Sequence, residues 1–115
     1  MRRGEIRIVN FEPARGTEAN KTRPAVVVSN DAANATATRL GRGVVTVVPV
    51  TSNLTQIYPF QVLLPAAVTG LRHDSKAQAE QIRSIAFERI GDRLGMLSPA
   101  LLVELDHALR LHLAL

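Results

Sequence analysis

Two short valine-rich runs constrain this chain more than anything else in it. Arg23–Ser29 reads RPAVVVS and Val44–Val50 reads VVTVVPV. β-branched side chains lose rotamer freedom in a helix and pack well on a pleated surface. Both runs are too short for a stable helix, and turn-formers bound them: Asn30-Asp31 follows the first, and Gly41 and Gly43 precede the second. They read as buried strands. Pro49 interrupts the second run and predicts an edge strand or a bulge, because proline has no N–H to give a ladder.

The other elements are read around these two. Arg3–Phe11 alternates through Ile6 and Ile8 and predicts a half-buried strand. Glu12–Thr22 holds Pro13 and Gly16 without an apolar run and reads as a loop. Residues 31–43 are rich in Ala, Asn and Thr and also read as a loop, since Asn and Thr compete with helical hydrogen bonds. Phe60–Leu64 is a further strand between Pro59 and Pro65. Ser75–Arg83 is open: propensity favours helix, whereas alternation at Ala77, Ala79 and Gln81 favours strand. Phe87–Ile90 reads as a short helical turn and Leu94–Leu97 as a short strand. The end is the clearest element. Ser98 is a good N-cap, Pro99 suits the first helical position, and Leu101, Leu102, Leu105, Leu109 and Leu113 lie along one face with Ala108. The sum is one α+β domain over residues 1–115, a small barrel of short strands with a C-terminal helix.

Several function classes are excluded. The 115 residues contain no cysteine, so thiol catalysis, thiolate zinc sites and disulfides are ruled out. The basic start, Met1-Arg2-Arg3, is followed by Gly4 and Glu5 instead of an apolar stretch, so no secretory signal is expected. No run approaches the ~20 apolar residues of a membrane span, and a soluble, cytoplasmic protein is expected. No phosphate-cradling GxxxxGK[ST] loop and no GxSxG elbow occur. Carboxylates do not cluster as a two-metal nuclease requires; Glu104 and Asp106 are two apart on a helix and diverge. No metal and no cofactor are expected.

Charge points to a polyanion. The net charge is +4, and residues 1–43 hold eight basic side chains against four acidic ones, while the remainder balances. Twelve of the fourteen bases are Arg, whose planar fork grips a phosphate with two hydrogen bonds. Four aromatic residues, Phe11, Tyr58, Phe60 and Phe87, are too few for an extended stacking platform. Tyr58 or Phe60 could still stack singly, though Phe60 suits the core. Of the three histidines, His107 and His112 are five apart on the helix and diverge by about 140°, which reads as surface placement. His73 stands beside Asp74 in a loop, as a loop hydrogen bond or an acid–base group. A last pairing unites Arg23, which opens one valine strand, with Thr51-Ser52, which closes the next. If those strands are neighbours, the two meet on one rim.

Four motifs now carry a resemblance. RRGEI (2–6), RPAVVVSND (23–31), PVTSN (49–53) and AEQIRSI (79–85) resemble, in order and at matching spacing, motifs of the MazF/PemK toxins of bacterial toxin–antitoxin pairs. The likeness spans nearly the whole chain. It implies an SH3-like β-barrel of the MazF/PemK/CcdB type, a homodimer, and sequence-specific, metal-independent cleavage of single-stranded RNA. It further implies neutralisation by a MazE-like antitoxin, with DNA touched only through the toxin–antitoxin complex. The family's catalytic Arg and Thr fall on Arg23 and Thr51. Ser52, Asn53, Glu80, Gln81, Arg15 and Lys21 are candidate RNA contacts. Two departures touch the first strand: Arg7 stands where the family usually has an aromatic residue, and Asn10 where Asp is frequent. A same-fold alternative is a toxin that binds DNA gyrase.

Overall fold

The computed structural model describes residues 1–115. In chain order the elements are β1 (Glu5–Asn10), β2 (Thr22–Val27), α1 (Asp31–Leu40), β3 (Val44–Thr51), β4 (Gln61–Leu64), α2 (Ala66–Thr69), β5 (Ser75–Gln78), β6 (Arg83–Ala86), β7 (Ile90–Met96) and α3 (Pro99–Leu113). Single 3₁₀ turns stand at Ala79–Gln81 and Phe87–Arg89. The seven strands form one antiparallel sheet in the order β4-β5-β3-β2-β1-β7, with β6 also on β3. The architecture is α+β, as the sequence predicts. The sheet is not closed, because β4 and β7 do not pair with each other.

β3 is the centre of this sheet, contrary to the edge position expected from Pro49. On one side it pairs with β2. On the other, Val44–Val47 pair with β6 and Val50-Thr51 pair with β5. Between those two partners the chain turns through Ala79–Gln81, and Pro49 lies in the resulting gap in the ladder, where a missing N–H costs nothing. This also settles Ser75–Arg83: it is strand, 3₁₀ turn, strand, each piece too short to show a period of its own.

Away from exposed Val44 and the half-buried start of β2, both valine runs contribute to cores on both faces, which is why they read as continuous rather than alternating. Val26, Val48 and Val50 join Ile6, Val62, Leu64 and Leu97 in the core beneath α3. Ala25, Val27, Val45 and Val47 join Val9, Phe11 and Ile85 on the opposite side, under α1 through Ala37. The terminal helix is capped as expected, with Ser98 Oγ accepting the Leu101 amide at 3.2 Å. It buries Leu105, Ala108 and Leu109, and half-buries Leu101 and Leu102. Leu113 leaves the packed stripe and is 46% exposed.

Residues 31–40 form a helix where a loop is predicted. The signals lie at its ends. Asn30 Oδ1 accepts the Ala33 amide at 2.8 Å as N-cap, and Gly41 closes the helix in the left-handed region at φ 66°. The polar residues that argue against helix are satisfied locally. Thr36 and Thr38 donate back to the carbonyls four residues earlier, and buried Asn34 donates to the Ser29 carbonyl at 2.8 Å. Arg3 fastens the N-terminus to this region: its amide donates to Asp31, its Nε to the Val28 carbonyl at 2.8 Å, and Nη2 pairs with Asp106 of α3 at 2.7 Å.

Leu105 is fully buried. Leu105→Ala should therefore lower unfolding free energy by about 2–5 kcal/mol, read from urea denaturation. Asn30→Ala, which removes only a cap, should cost about 0.5–2 kcal/mol.

Candidate active site

The β2–β3 pairing sets the site. Ala25 faces Pro49, Val26 faces Val48, and Val27 faces Val47. Continuing this register by two residues brings Arg23 level with Thr51, at the end of the sheet. Both line a cleft of about 610 Å³ together with Lys21, Thr22, Ser52, Arg72, His73 and Ser75. Its floor and walls are completed by Ile8, Pro24, Val50, Gly70, Leu71 and Leu94. No Asp or Glu lines it. Lys21, Arg23 and Arg72 give it three cationic side chains.

Arg23 is held rather than free. Its Nε donates to the Asn20 carbonyl at 2.8 Å and its Nη2 to Asn20 Oδ1 at 2.9 Å, which leaves the Nη1 amino group without a partner inside the chain. Thr51 is prepared differently. Its Oγ1 accepts the Asn53 amide at 3.2 Å, so its own O–H remains free to donate. Two facing strands thus each bring a free donor to the cleft.

The remaining predicted residues divide. Lys21 and Ser52 lie in the cleft; Arg15, Asn53, Glu80 and Gln81 are not among the residues that line it. Arg15 is exposed on the loop 12–22. Asn53 builds the turn after β3, with Oδ1 accepting the Thr55 amide at 3.1 Å. Gln81 accepts the Ala19 amide and donates to the Thr17 carbonyl, both at 2.9 Å. It ties down the segment that presents Asn20, and through Asn20 it steadies Arg23. Glu80 accepts from Gln61 Nε2 at 2.7 Å, and Gln61 Oε1 in turn accepts the Tyr58 amide at 3.1 Å. That chain fixes the loop between β3 and β4, helped by Lys76, which donates to the Gln56 carbonyl.

His73 lines the cleft, but Asp74 is not its partner: Asp74 Oδ1 accepts the Ala66 amide at 2.8 Å at the start of α2. His107 and His112 are exposed on α3. Phe60 is only half-buried and stacks on exposed Tyr58, with ring centroids 5.3 Å apart and planes 5° from parallel. Arg7 pairs with buried Glu5 at 3.2 Å, and Ile8 rather than Arg7 reaches the cleft. Asn10 Oδ1 accepts the Glu12 amide at 3.0 Å, at the start of the loop 12–22. Arg72 is the cleft residue that sequence reasoning missed. It lies in the charge-balanced part of the chain, and its only sequence signal is its place beside His73. No three His, Asp or Glu side chains come together as a metal-binding cluster. No helix is long and apolar enough to cross a membrane.

Comparison with known proteins agrees with the motifs. The family model described as "PemK-like, MazF-like toxin of type II toxin-antitoxin system" matches residues 2–113. Endoribonuclease MazF9 of Mycobacterium tuberculosis is 70% identical over 115 residues, covering 100% of this chain and 98% of the relative. Among solved structures, MazF from Deinococcus radiodurans superposes with a TM-score of 0.84 at 29% identity, covering 100% of this chain and 97% of that one. A MazE–MazF structure from the same organism gives 0.75 at 27% identity, covering 100% and 96%. None of these relatives supports the gyrase-binding alternative. With its four motifs, its α+β sheet and its Arg–Thr cleft, this chain belongs to the PemK-like, MazF-like toxins of type II toxin–antitoxin systems.

Proposed function

We propose that this toxin is a sequence-specific endoribonuclease that cleaves single-stranded RNA without a metal, in the cytoplasm, as a homodimer. The observation that carries the reading is the acid-free cleft in which Arg23 and Thr51 meet with Ser52 and Lys21. Residues 1–115 act as a single domain in this reading, and a MazE-like antitoxin neutralises it. DNA is contacted only through the toxin–antitoxin complex. The MazE–MazF structure of the Deinococcus relative supports the antitoxin as partner.

The chemistry follows from what RNA brings and what the cleft supplies. RNA carries its own nucleophile, the ribose 2′-OH, so no enzyme nucleophile is needed. That suits a chain without cysteine. Attack of the 2′-oxygen on the adjacent phosphorus forms one P–O bond and breaks the bond to the 5′-oxygen. The products are a 2′,3′-cyclic phosphate and a 5′-OH. DNA lacks the hydroxyl and is not a substrate. The enzyme must stabilise the extra negative charge that builds on the phosphate oxygens. Arg23 does this as a pre-oriented donor and Thr51 adds its hydroxyl. An arginine side chain is a poor proton acceptor, so Arg23 acts electrostatically and can pass a proton to the departing 5′-oxygen. His73 is the cleft group with the right chemistry to accept the 2′-OH proton. Ser52 has the hydroxyl needed to read a base edge beside the scissile position. Asn53, Glu80 and Gln81 serve RNA binding by shaping the loops that flank the cleft, and exposed Arg15 on the loop 12–22 offers a charge to the RNA backbone.

The purified protein should cut a long single-stranded RNA in excess EDTA at a small set of sites, each product bearing a 5′-OH. Intact RNA from folded, antitoxin-free protein would overturn the reading. Arg23→Ala and Thr51→Ala should each reduce the cleavage rate by about 10²–10³ while their circular dichroism matches the parent. A folded Arg23→Ala that cuts at near-parental rate would remove Arg23 from the mechanism. Light scattering should give a mass twice that of the chain, whereas a monomer mass would exclude the homodimer.

A further inference from the structure

The loop between α2 and β5 is built as a rigid finger. Leu71 is buried in the core beneath α3, and Ser75 is buried at the other end. Only Arg72, His73 and Asp74 stand out between them. The finger is pinned at its base. The Gly70 amide donates to the Ala66 carbonyl at 3.3 Å, Asp74 Oδ1 accepts the Ala66 amide, and Ser75 Oγ donates to the His73 carbonyl at 2.8 Å.

Its root also crosses β7 at backbone contact. A Cβ on Gly95 would lie 1.8 Å from the Thr69 carbonyl oxygen, and one on Gly70 would lie 2.8 Å from the Leu94 carbonyl oxygen. Both distances are far inside van der Waals contact, so only two glycines allow this crossing. Gly70 additionally holds φ 85°, which glycine adopts at no steric cost. The crossing places Gly70, Leu71, Arg72 and His73 along the cleft beside Leu94.

Arg72 at the tip makes no ion pair: those of the chain are Arg3–Asp106 and Arg7–Glu5. Arg23, by contrast, is gripped by Asn20. An unpaired guanidinium on a fixed finger, in a cleft without carboxylates, is placed for an external anion.

We propose that Arg72 is an RNA-binding residue that holds a phosphate other than the one cleaved, and that the Gly70–Gly95 crossing is the device that sets its position. This rests on the ribonuclease reading above and extends it. Arg23 and Thr51 serve the reacting phosphate; Arg72 anchors the strand beside it. Its contribution is to binding, so its loss raises KM more than it lowers kcat.

The test measures binding of a mixed-sequence, fully 2′-O-methylated single-stranded RNA, which lacks the nucleophile and is not cut, as salt is raised. Arg72→Gln should weaken binding about ten- to a hundredfold, the worth of one charge-assisted hydrogen-bonded contact. It should also make the slope of log affinity against log salt shallower by about 0.7, one phosphate's share for a single strand. Arg72→Lys should keep the parental slope. On cleavable RNA, Arg72→Gln should raise KM with kcat within about twofold, a loss of uniform binding. Gly95→Ala should shift binding in the same direction; if it fails to fold, Arg72→Gln at the exposed tip still decides. Parental affinity and slope in Arg72→Gln would overturn the proposal, as would an equal loss in Arg39→Gln, an exposed cation outside the cleft. If the parent cuts RNA and loses activity in Arg23→Ala while Arg72→Gln is unchanged, only this proposal falls. If the parent neither binds nor cuts RNA, both fall.

Discussion

The pairing of β2 with β3 is the constraint on which the rest of this molecule depends. Three residue pairs, Ala25 with Pro49, Val26 with Val48 and Val27 with Val47, fix it. Side chains alternate across a strand, so a slip of one residue would exchange the two faces of both strands. Here both faces are buried against separate cores. A slip would disturb the contacts under α3 and those under α1 together. The same register brings Arg23 level with Thr51. The geometry of the candidate catalytic pair is thus held by apolar packing several residues away, and not by any interaction between the two side chains.

Around that rim the molecule invests its polar side chains in positioning. Gln81 holds the Thr17–Ala19 segment, Asn20 holds Arg23, and the Asn53 amide occupies the acceptor side of Thr51. Glu80 and Gln61 do the same for the loop after β3. Each bond removes freedom from the cleft or from a segment beside it, and in the proposed ribonuclease reading preorganised donors are worth most where charge develops. The carboxylates of the chain are used elsewhere, as in Glu5 with Arg7 and Asp106 with Arg3. The cleft keeps its positive sign because nothing inside it cancels Lys21, Arg23 and Arg72.

Much of this was legible from residue order. The valine runs and the capped C-terminal helix announced themselves through local rules, and the motifs around Arg23 and Thr51 through resemblance to the toxin family. The failures have local causes too. Residues 31–40 read as loop because Asn34, Thr36 and Thr38 compete with helical hydrogen bonds, yet the two caps, Asn30 and Gly41, outweigh them. Pro49 looked like an edge marker because a gap in the middle of a ladder cannot be seen from one strand. Gln81 is a candidate RNA contact because an amide is equally suited to a base and to a backbone loop; within the chain it holds Thr17 and Ala19, partners that residue order does not show.

Sequence by itself determined the α+β class, the buried strands and the terminal helix, and the family resemblance singled out Arg23 and Thr51 as candidates. Those follow from side-chain shape, capping chemistry and short motifs, all properties of neighbouring residues. Tertiary structure alone decided that β3 is central, that the sheet stays open, and that Arg72 joins Lys21 and Arg23 in one acid-free cleft. The reason is distance along the chain. Arg72 stands far from Arg23 in sequence, and a contact between two glycine backbones, Gly70 at Gly95, carries it to the site. Glycine has no side chain with which to advertise such a contact.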